Sequence, residues 1–189
     1  MKSSFATLVL SALALSVHAI PTFPDTSSNT TPPTPPVCCD STVPLFRAYS
    51  PSATDHFYTT NAQERDNAVA SLGYSNEGTA AQVFPAAVSG AVPLYRLYSA
   101  GGTDHFYTTN AQERDNAAAA LGYASEGVAA YVYPSAQCGS VPLYRMYSPS
   151  AVDHFYTTNA AERNNAIASL GYSDEGVAGY VNPVRGANC

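Results

Sequence analysis

"DHFYTTNA" at residues 55–62 occurs again, unchanged, at residues 104–111 and 153–160. The interval is 49 residues each time, and the same interval separates Val43, Val92 and Val141. A fixed period of about 20–50 residues is typical of proteins built from one repeated structural unit. The chain therefore contains three tandem repeats with no insertion between them, at residues 43–91, 92–140 and 141–189.

The first part of each repeat has the pattern of a β-hairpin. In VPLFRAYS (43–50) apolar and aromatic residues alternate with a single arginine, which is typical of a half-buried strand. Pro44 is tolerated near the start of a strand but not within a central ladder. A turn follows, and HFYTT (56–60) is a second β-prone run. The short separation of the two runs predicts that they pair.

The second part of each repeat has the signals of a helix. Asn61 is a good N-cap, Glu64 completes a capping-box pattern, and Gly73 stands where a left-handed residue ends a helix. These signals predict a helix from about Ala62 to Leu72. Val69 and Leu72 are its expected core side chains. A third strand, EGTAAQVFP (77–85), then gives each repeat the order β-β-α-β.

One such unit has too small an apolar face to fold alone, whereas three units around an axis share a core. We therefore predict an α+β fold, with the three repeats forming one closed, pseudo-threefold domain over residues 43–189. A β-trefoil is the threefold alternative, although it would lack the strong helix of every repeat.

The residues before the repeats predict an extracellular location. Residues 1–19 have the pattern of a signal peptide, because their apolar run is too short to span a bilayer. Residues 20–42 form a linker rich in Pro, Ser and Thr that includes a cysteine pair, and Asn29 is an N-glycosylation acceptor. The formal net charge of −6 argues against nucleic acid or an anionic membrane as the partner. We expect a secreted monomer.

The four cysteines agree with an extracellular location, since an even number of cysteines in a secreted chain favours disulfides. A bond between the adjacent Cys38 and Cys39 would be strained, so each is expected to pair elsewhere, with Cys189 and Cys138. None of the spacings is typical of a zinc ribbon or a redox motif.

The motifs VPLYRLYS, DHFYTTN, ERDNA, LGY and EGVAAYVYP, in this order, resemble a family of extracellular microbial repeats of unknown function. The resemblance covers residues 43–189. Members are often joined to secreted hydrolases that act on cell walls or polysaccharides, which implies an accessory binding role. This chain has no hydrolase, and it has Tyr74, Tyr123 and Tyr172 where many members have Trp.

The histidines of the repeats all occupy one repeat position. The favoured interpretation is structural, with each histidine bonded inside its own repeat and fixing the hairpin to the helix. Ligand contact is the first alternative. A zinc site is the second, if His56, His105 and His154 meet at the axis.

Charged and aromatic residues also recur in every repeat. Arg47, in a half-buried strand, needs a carboxylate partner, which Asp55 or Glu77 can supply. The same two carboxylates are the candidate pair for glycosidic hydrolysis. Tyrosines can stack on sugar faces while polar side chains bind hydroxyls. The candidate ligand-binding residues are Asp55, His56, Tyr58, Asp104, His105, Tyr107, Asp153, His154 and Tyr156.

These observations favour a secreted, noncatalytic protein that binds polysaccharide or another glycan through repeated sites, and no cofactor is expected. Two alternatives stay open. One is a secreted hydrolase that uses a His₃ metal or a carboxylate pair, and the other is an effector that binds a protein.

Overall fold

The computed structural model describes residues 41–184. In this part of the chain each repeat has the order strand, strand, helix, strand, and strands account for more residues than helices. The first repeat contains β1 (Val43–Ser50), β2 (Asp55–Thr59), α1 (Ala62–Ser71) and β3 (Ser75–Val83). The second contains β4 (Val92–Ser99), β5 (Asp104–Thr108), α2 (Ala111–Ala120) and β6 (Ala124–Val132). The third contains β7 (Val141–Ser148), β8 (Asp153–Thr157), α3 (Ala160–Ser169) and β9 (Ser173–Val181).

The first strand of each repeat is the middle strand of a three-stranded antiparallel sheet, in the order β2-β1-β3 for the first repeat. Within β1, Phe46 pairs with Thr59 of β2, whereas Pro44 pairs only with Gln82 of β3. The proline therefore lies beyond the end of β2, where the central strand has one neighbour and a missing N–H is tolerated.

The predicted helix caps are confirmed. The Asn61 side chain accepts hydrogen bonds from the backbone N–H groups of Gln63 and Glu64, at 2.9 and 3.3 Å. Gly73 has a φ of +78°, as expected of the residue that ends a helix. The capping box is not completed, because the Asn61 N–H donates to the Thr59 hydroxyl rather than to Glu64.

The prediction that Val69 and Leu72 face the core is wrong. Their exposed fractions are 38 and 62%, whereas Ala68 is buried. Ala68 packs against Ala48 and Phe57 of the sheet. A small residue at this contact lets the helix lie close to the strands, and the larger aliphatic side chains then project into solvent.

The main core is built from the same four positions of each repeat, contributed by the first, second and third strands. Backbone hydrogen bonds near the ends of β3, β6 and β9 join the repeats in pairs. Gln82 pairs with Asn182, Phe84 with Tyr131, and Tyr133 with Tyr180. Each repeat therefore contacts both others. The core positions are Leu45, Tyr58, Ala81 and Val83, with their counterparts Leu94, Tyr107, Ala130, Val132, Leu143, Tyr156, Ala178 and Val181.

The predicted signal peptide, residues 20–40 of the linker, Asn29, Cys38, Cys39 and Cys189 lie outside the described residues. The disulfide pairing, including the partner of Cys138, therefore stays a prediction.

Candidate functional site

The three tyrosines of the repeated motif are not at the surface. Tyr58, Tyr107 and Tyr156 are each 1% exposed, and their rings meet edge to face with centroids 5.4–5.5 Å apart. The Tyr58 hydroxyl donates to the Tyr156 carbonyl at 2.6 Å and accepts from the Tyr156 N–H at 2.9 Å. The other two tyrosines repeat this pattern around the ring. Burial raises the pKa of all three phenols well above the ordinary value. These three rings are enclosed in the core and present no surface on which a sugar could stack.

Each aspartate of the motif binds the histidine of a different repeat. Asp153 accepts hydrogen bonds from the His56 backbone N–H at 2.9 Å and from His56 Nδ1 at 2.7 Å. The Tyr172 hydroxyl donates to the same carboxylate, which is fully buried. The prediction that each histidine bonds inside its own repeat is therefore wrong. Asp55 with His105, and Asp104 with His154, have the same geometry.

The histidine ring is held between two aromatic rings. The centroid of the His56 ring lies 4.6 Å from that of Tyr49, in its own hairpin, and 4.4 Å from that of Phe155, in repeat three. Because Nδ1 is bound by the aspartate, Nε2 is the ring nitrogen that remains for another partner. In repeat three this atom of His154 lies 3.7 Å from Glu175 Oε2.

An arginine joins two acids beside each histidine. Arg47 binds Glu162 of repeat three through two hydrogen bonds of 3.0 and 3.1 Å, and its Nε lies 2.9 Å from Glu77. The predicted partner Glu77 is thus confirmed, whereas Asp55 is not a partner. Burial acts against the charge of Glu162, but the Arg47 and Thr157 hydrogen bonds outweigh it and lower the pKa of this carboxyl. Equivalent hydrogen bonds from an arginine and a threonine also lower the pKa of Glu64 and of Glu113, against the effect of burial.

These groups line a cleft at each interface between repeats, except that Arg145 and Glu175 line an adjoining pocket at the interface of repeats two and three. We name the clefts 1–2, 2–3 and 3–1 after the repeats that form them, and their volumes are about 210, 630 and 420 Å³. The two larger values fall within the range typical of small-molecule sites, about 300–1,000 Å³. Cleft 3–1 is lined by Phe155, Glu162, Asn165 and Leu170 from repeat three and by Arg47, Tyr49, His56 and Glu77 from repeat one.

The three clefts are chemically almost the same, because most lining positions have one residue type in all repeats. One difference is Val152 in cleft 2–3, where the other repeats have Thr54 and Thr103. Gly101 and Gly102 also line this cleft. A Cβ atom at Gly102 would lie 2.6 Å from Val152 Cγ1, so the turn there leaves no room for a side chain.

The predicted site residues therefore separate into different environments. The three histidines line three different clefts. In the described part of the chain, the set of possible metal ligands that come together is the three aspartates, with one oxygen from each within 4.8 Å of the others. Their oxygens already accept hydrogen bonds from backbone, histidine and tyrosine donors. Asp55 and Glu77, the candidate hydrolytic pair, have different partners.

Sequence reasoning missed two residues of the cleft rim. Asn165 and Leu170 line cleft 3–1, and their equivalents line the other two. Both positions are exposed and unchanged in the three repeats, whereas other exposed positions of the same helix differ, as Gln63 and Ala161 do. This contrast was the signal that the sequence offered, and Ala62 and Ala70, which are also exposed and unchanged, share it.

Within residues 41–184, none of the helices has the length and apolar character needed to cross a membrane. No curated protein and no solved structure matches the chain. A family model described as "Domain of unknown function (DUF5648)" matches residues 40–182. That match covers most of the chain, including nearly all of the three repeats and the clefts between them, so the protein belongs to this family.

Proposed function

We propose that this is a secreted, noncatalytic protein that binds cell-wall or other carbohydrate through the clefts between its repeats. The observation that carries the proposal is the recurrence of one cleft, with aromatic rings and polar groups at its walls, at all three interfaces. The combination of ring faces and fixed hydrogen-bonding groups suits sugars, whose C–H faces pack on aromatic or aliphatic side chains while their hydroxyls are bound.

The residues of cleft 3–1 fit separate tasks in this proposal. Tyr49 and Leu170 offer apolar surface at the rim, and Leu170 is 59% exposed although it is a large aliphatic residue. Asn165 is exposed, and its side-chain amide makes no hydrogen bond within the described part of the chain. An amide of this kind donates and accepts, so it can bind adjacent sugar hydroxyls.

The contacts of each repeat with both others support multivalent binding. Three similar clefts on one rigid body can engage one polymer at several points, which raises the overall affinity without new contacts. The predicted signal peptide and the Pro-, Ser- and Thr-rich linker also agree with a protein that acts outside the cell.

The test is retention on insoluble chitin, β-glucan, mannan and peptidoglycan, together with a glycan array. We expect retention on at least one of these materials. Asn67→Ala, Asn116→Ala and Asn165→Ala combined should reduce it. The control is Gln63→Ala, because this exposed residue lies outside the cleft linings and repeat three already has Ala161 at its position.

Two outcomes contradict the proposal. Failure to bind any glycan would remove carbohydrate as the ligand and leave a protein partner as the alternative. Release of soluble sugar during the same incubation would contradict the noncatalytic role.

A further inference from the structure

The charges of the clefts restrict the kind of carbohydrate that fits. In cleft 3–1 the single positive charge of Arg47 faces two carboxylates, Glu77 and Glu162. Behind the His56 ring lies a third carboxylate, that of the buried Asp153. The Arg96 and Arg145 sites have the same composition, each with two glutamates. Acids therefore outnumber arginines at every interface.

The hydrogen-bonding groups left for a ligand are mainly acceptors. Arg47 donates from both terminal nitrogens to Glu162, and its buried Nε lies 2.9 Å from Glu77, so its capacity to bind a ligand anion is largely spent. Glu77 is exposed, and its ion pair uses one carboxylate oxygen. A ligand group that donates several hydrogen bonds and carries positive charge matches this arrangement, whereas a carboxylate, sulfate or phosphate is repelled.

The aromatic surroundings favour the same kind of group. A cation within about 6 Å of a ring centroid is attracted by the ring. The clefts already use this interaction internally, since the Arg47 guanidinium lies 5.3 Å from the centroid of Phe155. The half-buried Tyr49 ring also lines the cleft, and within residues 41–184 no arginine lies over it.

The net charge of the whole protein, −6, has the same sign as the clefts and would attract a polycation at long range. We propose that the clefts bind the free amino group of an amino sugar, so that the preferred ligand is a cationic polysaccharide of the glucosamine type. In this arrangement the sugar ring lies against Tyr49 and Leu170 while the ammonium group points to Glu77. This inference rests on the proposed carbohydrate-binding function.

The experiment compares soluble chains of equal length whose sugars carry a positive charge, no charge or a negative charge. Fully deacetylated and fully acetylated glucosamine oligomers, a neutral glucan and a polyuronate are titrated into the wild-type protein by calorimetry. We expect the deacetylated oligomer to bind at least about tenfold more tightly than the acetylated one. Its affinity should fall as salt is added, and the polyuronate should not bind.

A pair of matched variants separates the clefts from general attraction to an acidic protein. Glu77→Gln with Glu126→Gln removes two negative charges from two clefts. Asp66→Asn with Asp115→Asn removes two exposed charges outside the cleft linings, where repeat three already has Asn164. Only the first pair should reduce the affinity for the deacetylated oligomer.

Equal losses in the two variants would overturn the proposal, since binding would then follow net charge alone. Equal or tighter binding of the acetylated oligomer or the neutral glucan would also overturn it, while leaving the carbohydrate-binding function intact. Absence of binding to every sugar, in solution and on the insoluble materials, would refute that function as well. The comparison of ligands uses the wild-type protein and does not depend on the folding of a variant.

Discussion

Asp153 binds His56 of another repeat twice, through the backbone N–H at 2.9 Å and through ring Nδ1 at 2.7 Å. The two residues are 97 positions apart, and the carboxylate is fully buried. One side chain therefore joins repeats three and one and also fixes the ring that lines their cleft. Stability and the geometry of the site depend on the same contact.

The Asp153→Asn variant tests this contact. The amide keeps the size of the carboxylate but replaces one acceptor oxygen with a donor. Loss of Oδ1 leaves the His56 backbone N–H without its acceptor. Loss of Oδ2 removes the acceptor that the His56 ring and the Tyr172 hydroxyl share. We expect the free energy of unfolding to fall by about 1–3 kcal/mol, measured by urea denaturation. Asp66→Asn, at an exposed position, should change it by less than about 0.5 kcal/mol. Equal effects of the two substitutions would contradict the role assigned to Asp153.

The Tyr58→Phe variant tests the central ring of phenols. Removal of this hydroxyl leaves the buried N–H and carbonyl of Tyr156 without the bonds that it provides. A loss of about 1–3 kcal/mol in the free energy of unfolding is expected. The control is Tyr49→Phe, because that ring is half-buried at a cleft wall and its hydroxyl makes no hydrogen bond within the described residues. If Tyr58→Phe is as stable as the control, the six hydrogen bonds of the phenol ring are not a main source of stability.

Local features of the fold could be predicted from the sequence because their causes are local. Asn61 caps a helix through N–H groups two and three residues away, and Gly73 ends it through its own backbone conformation. The buried face of the helix was predicted wrongly because it depends on the sheet beneath. Sequence favours Val69 as the larger apolar residue, but the close approach of the strands selects Ala68.

The clefts could not be predicted, because identical repeats conceal which copy contacts which. Asp and His are adjacent in every copy of the motif. The sequence is therefore the same whether each histidine bonds to the aspartate of its own repeat or to that of another repeat. His56 in fact pairs with Asp153, not with its neighbour Asp55. The same ambiguity hides the Glu162 partner of Arg47 and therefore the site between them.

Alkaline titration should separate the tyrosines into two groups. Burial raises the pKa of Tyr58 well above the ordinary value, and burial with a hydrogen bond to Asp55 raises that of Tyr74. The counterparts of both residues in the other repeats behave in the same way. A raised phenol pKa stabilises the folded state below the unfolded value of about 10, and this contribution is lost as the pH rises further. At least six of the 14 tyrosines should therefore ionise only when the protein unfolds.

The measurement for the tyrosines is tyrosinate absorbance against pH, recorded together with circular dichroism. The exposed group should titrate first with the secondary structure unchanged, and the second group should follow the loss of the dichroism signal. Ionisation of all tyrosines in one step near pH 10, with the fold intact, would contradict the burial of the central ring.

Acidification should weaken the ion pairs between arginine and glutamate at the repeat interfaces, such as that of Arg47 with Glu162. The Arg47 and Thr157 hydrogen bonds lower the pKa of Glu162 against the opposing effect of burial. A lowered carboxyl pKa stabilises the folded state above the unfolded value of about 4.3, and this contribution disappears as the pH falls through the folded value. At pH 7 the Glu162→Gln variant should therefore be less stable than the wild type. Below the folded pKa the two proteins should converge, since the wild-type carboxyl is then protonated as well. Urea midpoints between about pH 7 and 2.5 give the comparison.

Asp66→Asn is the control, because its exposed ion pair with the adjacent Arg65 contributes little at any pH. A difference between Glu162→Gln and the wild type that persists unchanged at low pH would mean that the glutamate acts through packing and not through its charge.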